Sequence, residues 1–292
     1  MTNIAIIIPT HNRCEDLRNV LDQIYNQRIV GDIKLYPIVI VDGSSDGTKE
    51  MINNFYPHVV QIFGDGSWWY TKSINEGIRY SLKNNFDFIL TMNDDCLIDE
   101  NYVSTILSDQ RTLPSNSILG SISFSIEQPT RVIFSGVKQI IWWRYKNVHY
   151  LKEGTNVSNQ KLQGIYKTFE LPGRGILIPI HVFDKIGIFN EKFVQYGSDT
   201  EFIYRSLEYN VNVFISWNAK IYTYLSKTGK GSIYAKESLI TFLKNYFDKY
   251  SRNYIPNIAR IIWNYGYKLI FPVTLIVKIL GQLKNHFRNE EI

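Results

Sequence analysis

The chemistry of this chain starts with carboxylates that end apolar runs. The segment FILTMNDDCLIDE, residues 88–100, passes from a buried-type run into Asn93-Asp94-Asp95, with Asp99 and Glu100 close behind. Two adjacent carboxylates at a strand end can hold a hard divalent cation, Mg2+ or Mn2+. Such an ion takes one or two protein carboxylates and fills its other positions with phosphate oxygens and water. It would neutralise charge on a diphosphate leaving group. Taken alone, an Asn-Asp-Asp run is also ordinary turn chemistry. A second carboxylate, Asp42, ends the run YPIVIV and opens a Gly/Ser turn through Gly43, Ser44 and Ser45. A carboxylate in that place can accept a hydrogen bond from a nucleotide base.

Other residues have weaker claims. In GDGSWWY, Trp68 and Trp69 follow a strand end, and aromatic rings stack on sugar faces. Gly173-Arg174-Gly175 combines glycines that allow close backbone approach with a guanidinium suited to phosphate. Lys230 sits in Thr228–Ser232, which reads as a loop after the last core strand, either a plain linker or a flap over the donor with Lys230 near phosphate. The five histidines lack ligand spacing, and Trp142-Trp143-Arg144-Tyr145 reads as packing or a partner surface rather than a sugar site. Cys14 and Cys96 lie far apart without CxxC spacing, which points to a reducing compartment and no zinc site.

These residues need strands and helices to position them. Ile4–Pro9, Tyr36–Val41, Val59–Phe63 and Phe88–Met92 read as strands, with helices between them. Leu17, Val20, Leu21 and Ile24 share one helical face, and Asn12 with Glu15 has the spacing of a capping pair. Alternating strands and helices predict an α/β fold with a parallel sheet covered on both faces. Ligands of such sheets bind at the carboxyl ends of the strands. The loops at 10–13, 42–44, 64–66 and 93–95 all fall there. Residues 101–235 are less regular. IFSGVKQIIWW, FELPGRGILIPI and VNVFISW read as strands, HVFDKIG and DTEFIYRSLEYN as helices. GxGxxG after the first strand and GxxxxGK[ST] are both absent, so dinucleotide-binding and P-loop readings lose support.

The succession IIIPTHNR, IVIVDGSSDGT, SINEGI and ILTMNDD resembles the nucleotide-sugar-binding half of a family 2 glycosyltransferase of GT-A fold. The later LPGRGILIPIHVFDKIGIFNEKFVQYGSDTEFIYRSLEYN is similar to the segment ending in that family's acidic motif, in a form found in bacterial rhamnosyltransferase-like enzymes that build surface polysaccharides such as O-antigen or capsule. The resemblance spans residues 3–225. It implies that Pro9, Thr10 and Arg13 line the base pocket and that Asp42 contacts the base, with Ser44 in the same turn. It places Lys72 near the donor's phosphates or base, Asp94 at the ribose and Asp95 on the metal. Asp199 matches the catalytic base. Ser198 replaces the Glu usually found beside it, which leaves Glu201 as a second candidate.

The resemblance also implies an inverting transfer from a dTDP-, UDP- or GDP-linked sugar to a hydroxyl of a glycan or lipid-linked glycan. A base opposite the leaving group then suffices. The expected organisation is a catalytic domain at 1–235, divided into a nucleotide half (1–100) and an acceptor half (101–235), and a helical tail at 236–292. Two rival readings remain: a sugar-1-phosphate nucleotidyltransferase, and a non-catalytic glycan-binding scaffold. PTHNRCEDL lacks the Gly-rich basic loop of the first, and intact Asp42, Asp94, Asp95 and Asp199 weigh against the second.

Charge separates the tail from the body. Residues 236–292 hold nine Lys/Arg and four Asp/Glu, which accounts for the whole net charge of +5. A neutral body argues against a nucleic-acid groove. In the tail, aromatic and aliphatic residues interleave with Lys and Arg, and the apolar stretch is broken by Lys268, Pro272 and Lys278. That pattern suits a helix lying on an anionic membrane surface. Its alternatives are a cap packed on the domain or a homodimer interface. The start MTNIAIIIPTHNR lacks the basic region of a signal peptide. The expected location is the cytoplasmic face of a bacterial membrane, peripherally bound.

Overall fold

The structure is a computed structural model that describes residues 1–224 and 238–290. Strand and helix alternate at first: β1 (Thr2–Thr10), α1 (Cys14–Tyr25), β2 (Ile33–Asp42), α2 (Thr48–Phe55), β3 (Val60–Gly64), α3 (Trp69–Leu82) and β4 (Phe88–Thr91). Then follow β5 (Cys96–Ile98), α4 (Tyr102–Arg111), β6 (Ser117–Ser125), β7 (Val132–Phe134), β8 (Val137–Ile141), β9 (Lys146–His149) and β10 (Ile165–Lys167). The chain continues through β11 (Ile176–Pro179), α5 (Val182–Ile186), α6 (Ser198–Glu208) and β12 (Asn212–Thr223). Helices α7 (Leu239–Asn245), α8 (Ile255–Tyr265) and α9 (Phe271–Glu290) complete it.

The main sheet runs in the order β10-β12-β6-β11-β4-β1-β2-β3, with β5 on β12 and β7 on β6. β1 pairs parallel with β2 and β4, and β2 with β3, so their carboxyl ends share one edge. β11 is antiparallel to β4, so its beginning lies at that edge: the Gly175 amide donates to the Thr91 carbonyl at 2.7 Å. β8 and β9 form a separate hairpin.

The sheet is buried on both faces, as a mainly parallel sheet requires. Ile4, Ile6 and Ile8 pack with Leu17, Val20, Leu21 and Ile24 of α1 on one face. Ala5, Ile7, Ile38 and Ile40 pack with Ile74 and Ile78 of α3 on the other. Gly77 brings α3 close, since a Cβ there would lie 2.5 Å from Ile7 Cγ2.

Several local expectations are corrected. Asn12 does not cap α1. It lies at φ 51°, and Asp46 accepts from the Cys14 amide at 2.8 Å instead. IFSGVKQIIWW is two strands, because Gly136 turns the chain at φ 92° between β7 and β8. FELPGRGILIPI is a strand only from Ile176 onward. In the tail the break comes at 266–270, with Gly266 ending α8 and a short 3-10 turn following. Pro272 sits in the first turn of α9, where its missing N–H costs nothing, and Lys278 is inside the helix. α8 packs on the domain through Ile261 against Phe193 and Tyr204. No helix among the described residues is long and apolar enough to cross a membrane.

Candidate active site

Side chains lace the strand-end loops together. The Asn12 amide donates to Ser44 Oγ at 3.0 Å, and Asn12 Oδ1 accepts from the Ser45 amide at 2.8 Å. His11 Nδ1 lies 2.5 Å from the Asp42 carbonyl. Asp46 accepts from the Thr48 hydroxyl at 2.5 Å, so one carboxylate starts both α1 and α2. Pro9 and Thr10 are the last two paired positions of the β1–β2 ladder, the first half-buried and the second buried.

The buried Asp42 carboxylate is turned into the third loop. Its Oδ1 accepts from the Gly66 amide at 2.8 Å, and its Oδ2 accepts from the Trp68 and Trp69 amides at 3.0 Å each. Gly43, at φ 67°, touches this loop so closely that a Cβ would lie 2.6 Å from Gly66 Cα. Asp42 therefore sets the loop that carries the two tryptophans. Lys72 Nζ lies 4.7 Å from the centre of the Trp68 ring. Trp69 stacks on Tyr250, centroids 3.9 Å apart.

Arg13 joins the paired acids. Its Nη1 donates to Asp94 Oδ1 at 3.1 Å and to Asp95 Oδ2 at 2.9 Å. Burial pushes Asp94 up to about 6; Arg13 opposes that rise and Asp95 adds to it. Asp95 Oδ1 is buried without a hydrogen-bond partner. Among the described residues no cluster of three or more His, Cys, Asp or Glu could hold a metal. A Mg2+ or Mn2+ completed by phosphate oxygens needs no such cluster. The open oxygen of Asp95, beside a second carboxylate, fits that kind of ion.

The opposite rim is built from residues remote in sequence. Asp199 lies in the first turn of α6, where its oxygens accept from the Gly173 amide and the Thr200 amide, both at 2.9 Å. Burial raises its proton affinity; the two amides and Arg252 pull the other way. Thr200 also donates through its hydroxyl to Glu170 at 2.9 Å, and Asn147 donates to the second Glu170 oxygen. Glu170 is raised too, first by burial and then by the nearby charge of Asp199. Tyr70 OH donates to the Gly173 carbonyl at 2.8 Å, and a Cβ on Gly173 would collide with that hydroxyl at 2.0 Å. Arg174, the next residue, keeps its Nε buried and without a partner, an open donor for an anion.

The two acids of α6 have different surroundings. Both Glu201 oxygens are engaged by Arg205, at 3.1 and 3.0 Å, and Tyr265 of α8 donates to Oε1 at 3.0 Å. Glu201 thus ties α8 to α6. Ser198, standing where the resemblance expects Glu, is buried and bonds Thr71 of α3 at 2.8 Å. Together with the Tyr70 amide on Gln195 at 3.1 Å, this contact joins the two rims. The structure brings Arg13, Asp94 and Asp95 together, and Asp42 with the Trp68 and Trp69 amides. It puts Arg174 beside Gly173, which holds Asp199. Lys230 lies outside the described residues.

Sequence reasoning did not single out Glu170, Tyr70, Tyr250 or Arg252. Glu170 precedes the Leu-Pro-Gly-Arg-Gly turn, and an acid before a Gly-rich turn was a legible cue. Tyr250 and Arg252 lie in the tail, where they counted only as one aromatic and one charge.

A mainly parallel sheet whose strand-end loops gather acids on one rim, closed by an antiparallel strand and a second helix start on the other, is the GT-A fold. Solved structures share the fold. The mannosyltransferase PcManGT from Pyrobaculum calidifontis, in complex with GDP-Man and Mn2+, matches with a TM-score of 0.59 and 12% identity, over 98% of this chain and 73% of that one. S. aureus TarS matches with a TM-score of 0.55 and 12% identity, over 100% of this chain and 55% of that one. At such identity the likeness concerns the fold. The chain belongs to glycosyl transferase family 2, whose sequence pattern matches residues 5–177. A curated relative, the low-salt glycan biosynthesis hexosyltransferase Agl10 of Haloferax volcanii, is 25% identical over 222 residues. That match covers 73% of this chain and 64% of the relative's length.

Proposed function

We propose that the chain is an inverting glycosyltransferase that moves a hexosyl or deoxyhexosyl group from a nucleotide-diphosphate donor to a hydroxyl of a glycan acceptor. One observation carries the reading. Asp95, with an unpartnered buried oxygen, follows the end of β4, and Asp199 is held by the amide of Gly173, two residues before Gly175, which bonds to Thr91 at that same strand end. The acceptor is a glycan or a lipid-linked glycan. The catalytic unit is residues 1–235, and the basic tail at 236–292 meets an anionic membrane surface at the cytoplasmic face.

In this mechanism Asp199 takes the proton of the acceptor hydroxyl. The hydroxyl oxygen forms a bond to the anomeric carbon as the bond from that carbon to the diphosphate oxygen breaks. The nucleotide diphosphate leaves with the electron pair. Burial keeps Asp199 basic enough for this task. Arg174 and Lys72 donate to the phosphates as charge develops. Trp68 and Trp69 flank the sugar, and Asp42 holds their loop in place while Ser44, Pro9 and Thr10 border the base. Asp95, with Asp94 beside it, would hold Mg2+ or Mn2+. When bound, that ion supplies positive charge against the leaving diphosphate.

The test is a thermal-shift panel with Mn2+ and UDP, dTDP, GDP or CMP, on the wild type and on Asp95→Ala. Ligand binding to the folded state raises its stability by mass action. The expected result is a metal-dependent shift with one diphosphate that Asp95→Ala abolishes. A folded protein that shifts with no nucleotide would defeat the proposal.

A further inference from the structure

Helix α9 is mounted with its polar side inward. Thr274 is buried, and Lys278 Nζ donates to the Tyr145 carbonyl at 3.3 Å. Gln282 donates to Asn253 Oδ1 at 3.0 Å, and His286 stacks on Phe242 with centroids 4.4 Å apart. These four recur every fourth residue and so share one face. Away from it, Val273 is 56% exposed, Ile276 57%, Leu280 58% and Phe287 50%, and Leu269 in the preceding turn is 95% exposed. A helix of a soluble domain normally buries its apolar stripe. A contiguous exposed apolar stripe marks a surface that something else covers.

Charge identifies what covers it. Residues 238–289 contain eight Lys/Arg and a single acid, Asp248. Lys268 and Lys284 are exposed near the two ends of the apolar stripe. In a two-fold dimer the same patch must meet itself. Lysines would then face lysines, since residues 268–287 include no acid. An anionic bilayer offers both an apolar layer and opposite charge.

We infer that α9 and the turn before it form a monotopic membrane anchor, lying in the headgroup plane of an anionic bilayer with Val273, Ile276, Leu280 and Phe287 submerged and Lys268 and Lys284 on lipid phosphates. This rests on the membrane reading of the tail given above, and not on the assignment of sugar transfer. The inward face of the same helix bonds Tyr145, and its Lys278 acts electrostatically on Glu170, which neighbours Asp199. Docking α9 therefore holds the Asp199 rim close to the bilayer, which suits an acceptor carried on a lipid.

The test is co-sedimentation of the full chain with phosphatidylcholine vesicles and with mixed phosphatidylcholine–phosphatidylglycerol vesicles. The chain should pellet with the mixed vesicles and stay in solution with the neutral ones. The double variant Ile276→Glu/Leu280→Glu should lower the bound fraction roughly tenfold or more, because it removes apolar depth and adds repulsion. Lys268→Glu/Lys284→Glu should remove the preference for anionic lipid. Circular dichroism and an unchanged thermal-shift response to nucleotide and Mn2+ would establish that the variants are folded. Equal binding by wild type and the Ile276/Leu280 variant, or no binding by wild type, overturns the anchor. So does a dimer in light scattering that this variant converts to monomer without any vesicle binding. Vesicle binding together with no nucleotide shift would uphold the anchor and reject sugar transfer alone.

Discussion

The two rims of the site are held by opposite means. On the rim made by the loops after β1, β2, β3 and β4, proposed above to take the donor, side chains cross-link neighbouring loops and two acids act as struts. Asp42 organises the loop at 64–69, and Asp46 starts α1 and α2. On the other rim, Asp199 and Glu170 come together through Thr200 and sit beside residues drawn from α3 and the tail. The same residue type is a structural strut at 42 and, in the mechanism proposed above, the base at 199. What separates them is how many donors each accepts and whether a neighbouring charge competes. Identity alone does not assign a role to an Asp at a strand end.

The sharpest break of this comparison is Asp199→Asn. It should lower kcat by roughly 10²- to 10⁴-fold, the usual worth of a positioned base. The diphosphate-induced thermal shift should be unchanged, because the donor rim is untouched. Glu201→Gln provides the contrast and should keep kcat within a few-fold. If steady-state kinetics gave these effects the other way round, Glu201 would be the base and the division of labour in α6 would be wrong.

Next in size is Asp42→Ala, which strands three backbone amides. Hydrogen bonds to a charged acceptor are the strong ones, so the expected loss is on the order of 3 kcal/mol in urea unfolding. A loss below about 1 kcal/mol would mean that the loop is held by packing and that Asp42 is free for other work. Glu201→Gln should follow at about 2 kcal/mol, since it weakens a largely buried pairing with Arg205 and the tie to Tyr265. Thermal denaturation of the two variants side by side tests the ranking.

The contrast between rims also explains what was legible. The β-α repeat of residues 1–91 could be read because each strand is a short apolar run and each helix shows one apolar stripe. The acids at the strand ends could be read because the sheet's direction puts them on one edge. β6 was not read, although it is buried along its whole length. Its segment SILGSISFS alternates aliphatic residues with serines, and small serines fit where other layers pack closely: Ser121 meets Tyr102 OH at 2.8 Å. α4 escaped for a similar reason, being short and anchored through Tyr102 and Gln110 rather than by a clear stripe. In the tail, composition was legible but orientation was not. Nothing local says that α9 turns Thr274, Lys278 and Gln282 inward. Only the polar partners Tyr145 and Asn253, more than a helix away in sequence, decide it.

The smallest expected effect concerns the other member of the acidic pair. Burial holds Asp94 at about 6 rather than the ordinary 3.8. The folded protein therefore keeps this proton to higher pH than the unfolded chain does. That contribution favours folding fully below about pH 4, declines as pH rises, and is lost above about pH 6, a cost on the order of 3 kcal/mol at neutral pH. Asp94→Asn removes the titration, but its amide puts two N–H donors where the neutral acid has one O–H, a pH-independent loss of roughly 2 kcal/mol in this buried place. The net gain over wild type near pH 7.5 should thus be on the order of 1 kcal/mol. The gain should shrink between about pH 6 and pH 4 and reverse below, where wild-type Asp94 is already neutral. Urea unfolding across that range measures it. A pH-independent difference would show that Arg13 cancels the effect of burial on Asp94. The predicted crossover would instead mean that this rim keeps a buried charge at the expense of its own stability, as the proposed cation site requires.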